Sequence, residues 1–397
     1  MRLKSFLFLL ALLCNNTFAQ NVWTQMANFG GASRYAPVGF SIGNKGYIGC
    51  GFNASSNFND IWEYDPVSNL WTQKASVTSG RAAAVSFVIG NKAYVCMGVG
   101  STFYNDLQEY NPITNMWVNK TPMPAAGRYG GFAFAVNGKG YVGGGNPGSG
   151  TNPCLNDFYE YDPANDSWAT KSNFPGNPRY GMAGFSIGTA GYAGLGLNES
   201  FGVQFYDDLF EYTPATNTWQ QKANLAGIGR NYPTCFTINN EGYLCGGENF
   251  VALNDFYKYN PVTNSWSQLV NFGGGIRWAA AGFSIGNKGY MGMGNDFAVL
   301  YNDFWEYAPV VSIPETQTQN NISIVYSNNF IELIFLHLEP SKPTFKLFTS
   351  NGVEIFSQSI KTKTFKIPKQ KFRNGVYLYT VSKNNFLITS GKLAFVN

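Results

Sequence analysis

The chain has 397 residues, 44% hydrophobic and 17% aromatic but only 13% charged, with 45 glycines and a single histidine, His337. Abundant aromatics with little charge exclude disorder and long solvated helices, and one histidine removes most histidine-based catalysis and most zinc or copper chemistry. The net charge of +4 is too small for a nucleic-acid surface.

That charge is also unevenly placed. Residues 20–309 carry 15 basic and 19 acidic side chains, whereas residues 310–397 carry 10 and 4. Two differently built parts are expected.

At the N-terminus, Arg2 and Lys4 precede an apolar run from Phe6 to Leu13 and then Thr17-Phe18-Ala19. A basic start, a short apolar core and a small final residue predict an export signal over residues 1–19, cleaved after Ala19. The run is too short for a permanent transmembrane helix, and no later stretch approaches one. Cys14 raises a lipoprotein alternative, but Leu13 stands where a small residue is expected. Five cysteines follow, at 50, 96, 154, 235 and 245. An odd number cannot all pair internally, and a turn at Asn240-Glu241 would put Cys235 opposite residue 246 with its side chain on the other face from Cys245. Small buried thiols are expected rather than a disulfide scaffold.

Residues 20–309 contain a six-fold repeat. Arginines stand at 34, 81, 128, 179, 230 and 277, each followed six residues later by Phe and thirteen later by Tyr. A second unit, Asp with Tyr four later and Pro six later, begins at Asp60, Asp106, Asp157, Asp208, Asp255 and Asp303, and the first five of these have Trp eleven later. Each repeat reads as four short strands with turns such as Gly43-Asn44-Lys45-Gly46 and Asp-Pro or Asn-Pro. Such a unit cannot bury both faces alone, so the repeats must stack around an axis. The sixth lacks its tryptophan, because Pro314 stands there, while Trp23 is spare. The N-terminal strand is therefore predicted to complete the last unit and close a six-bladed propeller.

These residues resemble kelch repeats, through Tyr141-Val142-Gly143-Gly144-Gly145, the Asn-Asp-x-x-x-Tyr-x-Pro strand and the spaced tryptophan. The resemblance implies the propeller fold and leaves function open, because kelch propellers include binding modules and a few enzymes.

Residues 310–320 read as a polar linker, and residues 321–397 as six or seven short strands of an all-β, immunoglobulin-like sandwich. This segment resembles the sorting domain of type IX secretion substrates through Phe345-Lys-Leu-Phe-Thr-Ser-Asn-Gly352, Asn374-Gly375-Val376-Tyr377-Leu378 and Gly391-Lys392-Leu393. Tyr326-Ser327-Asn328-Asn329 replaces the usual Asn-Pro pair. The resemblance implies passage across a bacterial outer membrane by that machinery and an extracellular or surface-attached protein. The six basic residues within 361–373 read as a solvated strand face.

The six arginines share a strand side with the Phe six later. They either pair with the aspartate or glutamate of the third strand (Glu63, Glu109, Glu160, Glu211, Glu306) or reach the channel mouth. There, with Tyr35, Tyr129, Tyr180, Tyr232 and Trp278, they would suit sugar rings through stacking and forked hydrogen bonds. No cofactor or metal is expected. Acidic residues outside the repeated positions are few, and Glu199, Glu248 and Asp296 with Arg230 would serve a carbohydrate-active enzyme, either glycosidase-like or a sugar mutarotase. Variable loops after the second strand are where specificity should sit. The leading expectation is a non-catalytic module for glycan or another surface polymer. The alternatives are that enzyme or an envelope protein–protein scaffold.

Overall fold

A computed structural model describes residues 22–148, 154–200, 202–309, 322–326, 329–335, 343–349, 352–372, 375–383 and 386–395. The predicted export signal and the linker, with Cys14 and His337, lie outside the described residues. The chain divides into two compact units, Met1–Pro309 and Val310–Asn397. No described helix is long and apolar enough to cross a membrane.

The first unit is six four-stranded antiparallel sheets. Sheet 1 holds Val38–Ile42, Lys45–Gly49, Ile61–Asp65 and Leu70–Lys74 in sequence order. Sheets 2 to 6 open with Val85–Ile89, Phe132–Val136, Ala183–Ile187, Thr234–Ile238 and Ala281–Ile285. Each opening strand packs beside the next, and the sixth returns to the first, so the ring is closed. Sheet 6 takes its fourth strand from the chain start: Val22–Gln25 pairs with Phe304–Ala308, setting Trp23 opposite Tyr307.

Alternation in the opening strands dictates the packing. Phe40 stacks on Tyr47 of the neighbouring strand at 5.2 Å, and the same pair recurs as Phe87 on Tyr94 and Phe185 on Tyr192. Each buried Phe contributes about 1.5–3 kcal/mol. Glycine makes room for it. A Cβ on Gly46 would sit 2.1 Å from the ring of Phe283, and one on Gly140 would sit 2.2 Å from that of Phe87. The sheets are also clamped to one another. Asn115, left-handed at φ 52°, accepts from Tyr110 Oη at 2.9 Å within its own sheet and from Ala75 N at 2.9 Å on the preceding connection.

The five described cysteines are free thiols, and the two-residue turn at Asn239-Asn240 pairs Cys235 with Leu244 and Thr234 with Cys245. The turn sits one residue earlier than the sequence suggested, because two asparagines tolerate the left-handed conformation that this turn requires, with φ of 51° and 60°.

The second unit contains a three-stranded sheet (Ile322–Tyr326, Phe330–Phe335, Thr364–Pro368) and a four-stranded one (Glu354–Ser359, Thr344–Phe348, Gly375–Lys383, Phe386–Phe395). Ile331, Leu333, Phe345, Leu347, Ile367 and Val381 form a common apolar core. The strand Thr364–Pro368 falls inside the basic stretch, with Lys366 outward and Phe365 and Ile367 inward.

Candidate functional site

Antiparallel order brings two kinds of segment to one end of the ring: the connection entering each opening strand and the loop after each second strand. The six arginines stand at this end but are not available to a ligand. Each is only 0–1% exposed. Nη2 of each donates to the repeat aspartate at 2.8–3.0 Å, and Nη1 to the other oxygen of the same carboxylate. Nη1 also reaches the carbonyl sixteen residues later, from Cys50 to Met293. The residue after that carbonyl is glycine in every repeat, with φ of 92–106° that side chains avoid. The arginine therefore holds a left-handed kink in place. Its partner is the aspartate, not the glutamate, because Glu63, Glu109, Glu160, Glu211 and Glu306 accept instead from Tyr47, Tyr94, Tyr141, Tyr192 and Tyr290 at 2.5–2.7 Å.

Two residues after each arginine the backbone is again left-handed, at Ala36, Ala83, Gly130, Gly181, Tyr232 and Ala279. These residues hydrogen-bond around the axis: Ala279 N to Tyr232 O at 3.0 Å, Tyr232 N to Gly181 O at 2.7 Å, Ala36 N to Ala279 O at 2.7 Å and Ala83 N to Ala36 O at 2.9 Å. Inside lies a cavity of about 170 Å³ lined by all six repeats, mostly by small residues with Phe132, Met182 and Tyr232 among them. Tyr232 is the one large side chain at those six left-handed positions. Its Oη lies 2.6 Å from where a Cβ on Gly130 would be, two sheets away, so the ring lies across the entrance. Burial pushes its phenol pKa well up.

Around Tyr232 an aromatic collar follows the mouth. Trp278 lies 5.2 Å from Tyr35 and 5.9 Å from Tyr232, Tyr180 lies 6.2 Å from Tyr232 and 5.6 Å from Tyr129, and Phe103 stacks on Tyr129 at 5.9 Å. Asn231 is 3% exposed and its Oδ1 has no partner, nor does the buried Trp278 Nε1. Asn231 and Glu248 exchange backbone hydrogen bonds at 3.1 Å. Burial, with the charge of Glu199 adding to it, raises the Glu248 carboxyl above its ordinary range against a hydrogen bond from Asn231. The Tyr180 phenol is pushed up by burial and by Glu199. Cys154 packs beside Tyr180, and burial raises its thiol to about 11.

Charge isolates this region further. All fifteen basic side chains of residues 22–309 are in ion pairs, each with its own acid. Four acids remain without a cation: Glu199, Glu248 and Asp296 on the mouth-side loops of sheets 4, 5 and 6, and Asp207 in the strand Gln204–Thr213 of sheet 4. Large exposed apolar residues at this end, including Val203, Ile228, Phe250, Val251, Phe297 and Val299, fall on the same three sheets. Among the described residues, the mouth-side loops of sheets 1 to 3 carry none.

Comparison with known proteins bears on the fold. Residues 229–273 match the Kelch motif family. The solved structure of YjhT superposes with a TM-score of 0.58 and 18% identity, over 70% of this chain and 96% of that one. The fold is a kelch-type β-propeller. An 84-residue stretch is 32% identical to N-acetylneuraminate epimerase of Shigella sonnei (strain Ss046) and 31% identical to that of Escherichia coli (strain K12). That stretch is 21% of this chain and spans 23% of the length of either relative.

Of the residues that the sequence singled out, the propeller brings Tyr35, Tyr129, Tyr180, Tyr232 and Trp278 together in the collar, with Glu199 and Glu248 beside them. It withdraws Arg34, Arg81, Arg128, Arg179, Arg230 and Arg277 into buried pairs, because a guanidinium at that depth needs a carboxylate. This removes Arg230 from the enzymatic constellation. Asp296 is committed locally, accepting from Val299 N and Tyr301 Oη at 2.6 Å each and from Ala298 N at 2.9 Å, which lowers its pKa. Sequence reasoning passed over Asn231, Phe250 and Phe297. A signal existed for the last two: both stand twenty residues after their arginine, where the other repeats carry Ala54, Ser101, Gly148 and Glu199.

Proposed function

We propose that the protein is a six-bladed kelch propeller that binds carbohydrate at the mouth of its axial channel, without turnover. The observation carrying this reading is the one-sided mouth. The aromatic collar follows the whole mouth, whereas two buried polar atoms without partners and the carboxylates without cations fall on sheets 4 to 6, where the repeat symmetry is broken. Apolar ring faces with a few placed polar groups suit a sugar, whose C–H face stacks while its hydroxyls donate to carboxylates and to Asn231 Oδ1. The charge pattern favours a neutral saccharide. An anionic one, such as the N-acetylneuraminate in the relatives' name, would meet unpaired acids and no free cation. Export across an outer membrane, with residues 321–397 as the address of the type IX machinery, belongs to the same proposal. Deleting those residues should trap the protein inside the cell.

A glycan array probed with the full chain tests the binding reading. Neutral glycans should bind, sialylated ones should not, and Glu199→Gln with Glu248→Gln should weaken binding about tenfold or more. Absence of binding to every glycan would sink the proposal.

A second reading rests on Glu248. A carboxyl raised by burial beside a second carboxylate is a usable proton donor and acceptor, as sugar mutarotation requires. Acceleration of anomer exchange that Glu248→Gln abolishes would favour this enzyme over the binding module.

A further inference from the structure

Phe250 and Phe297 occupy equivalent positions on the loops that follow the second strands of sheets 5 and 6, next to Glu248 and Asp296. Both are left-handed, with φ of 58° and 75°. Ala54 and Gly148 at the same register are left-handed too, with φ of 74° and 85°, whereas Ser101 and Glu199 are not, so four of the six loops take that conformation. A bulky side chain is strained there, whereas glycine would not be. Burial offsets little of that strain, because the rings are 71% and 57% exposed.

The loops nevertheless hold these rings firmly. Asn249 Nδ2 donates to Gly229 O at 2.5 Å and Asn249 N to Val251 O at 3.0 Å, bracketing Phe250. The three hydrogen bonds of Asp296 bracket Phe297. Phe297 stacks on Trp278 at 5.6 Å and 27°, which joins it to the collar, and Phe250 stands edge-on to Phe205 at 5.1 Å and 76°. Each ring is thus braced from one side and open on the other. Glu199 completes the row at the same register in sheet 4.

We propose that Phe250 and Phe297 form a stacking platform for a second sugar unit, so that the preferred ligand is a neutral oligosaccharide rather than a monosaccharide. This rests on the reading of the mouth as a carbohydrate site. The first unit lies in the collar against Glu248 and Asn231. The chain then runs outward over the phenylalanines, its C–H faces on the rings and its hydroxyls toward Glu199. Strained, exposed aromatics are retained because the ligand, not the fold, uses them.

Titration calorimetry on the full chain tests this with glucose, mannose, xylose and N-acetylglucosamine, each as monomer and linear tetramer. At least one tetramer should bind about tenfold more tightly than its monomer. The double variant Phe250→Ala, Phe297→Ala should bring tetramer and monomer affinities within about twofold of each other. Phe250→Gly with Phe297→Gly should lose the same advantage with an unchanged or raised thermal midpoint, which separates a lost platform from a lost fold. A tetramer advantage that survives in both double variants, or a parent protein that shows none, would overturn the platform and leave the mouth site standing. No binding by any monomer or tetramer would overturn the carbohydrate reading itself.

Discussion

Asn231 and Glu248 exchange two backbone hydrogen bonds at 3.1 Å, and the Asn231 side chain hydrogen-bonds the carboxyl whose pKa burial raises. A raised carboxyl pKa means that the folded protein holds this proton more tightly than the unfolded chain. The contribution to stability is present at low pH and is lost as pH rises through the folded-state value. Glu248→Gln should therefore raise the thermal midpoint at neutral pH by about 1–3 °C. The gain should vanish below about pH 4, where the carboxyl is protonated in both states. A gain that grows on acidification would contradict the argument.

The arginine–aspartate pairs predict an asymmetry between stability and binding. Asp60→Ala leaves the Arg34 guanidinium buried and unpaired, at a cost of about 3–5 kcal/mol in denaturant unfolding. Arg34→Met should cost less, because it removes the buried charge as well. Saccharide affinity should stay unchanged in whichever variant remains folded. A selective loss of binding would return the arginines to the site.

Tyr232 lies across the channel entrance in a backbone conformation that its five counterparts meet with alanine or glycine. Tyr232→Gly should relieve that strain and enlarge the cavity of about 170 Å³. Removing the floor of the collar should also weaken saccharide binding about tenfold. A crystal structure of the variant and its binding isotherm check the two halves separately.

Burial raises the thiols of Cys50, Cys96 and Cys235 to about 12 and that of Cys154 to about 11. Iodoacetamide at neutral pH should leave these four unlabelled in the folded protein and label them once denaturant is added. Mass spectrometry reads the outcome residue by residue. Rapid native labelling of Cys154 would show that the mouth opens.

The sequence revealed the ring because its spacing does: six arginines and six aspartates in fixed register leave few architectures. Closure by the strand around Trp23 was also legible, since the tryptophan missing from the sixth repeat stands at the front. The partner of each arginine was not. Aspartate and glutamate of the third strand lie three residues apart, and only the left-handed kink decides which one the guanidinium reaches. Glu199 and Glu248 stood out by falling outside the repeat, but that they alone at the collar lack cations required every other ion pair. Phe250 and Phe297 broke the repeat at the twentieth residue after their arginine, but in an aromatic-rich chain that break gains meaning only once their exposure and backbone angle are seen.

The pairing of Trp23 with Tyr307 also sets an order of events. The first strand of the propeller to be synthesised finds its partner only when the last has been made, so no partial chain can complete sheet 6. Ring closure is the step with the greatest loop-closure entropy. Until then an open arc exposes two unpaired strand edges. The ring therefore cannot close until the strand Phe304–Ala308 has been made.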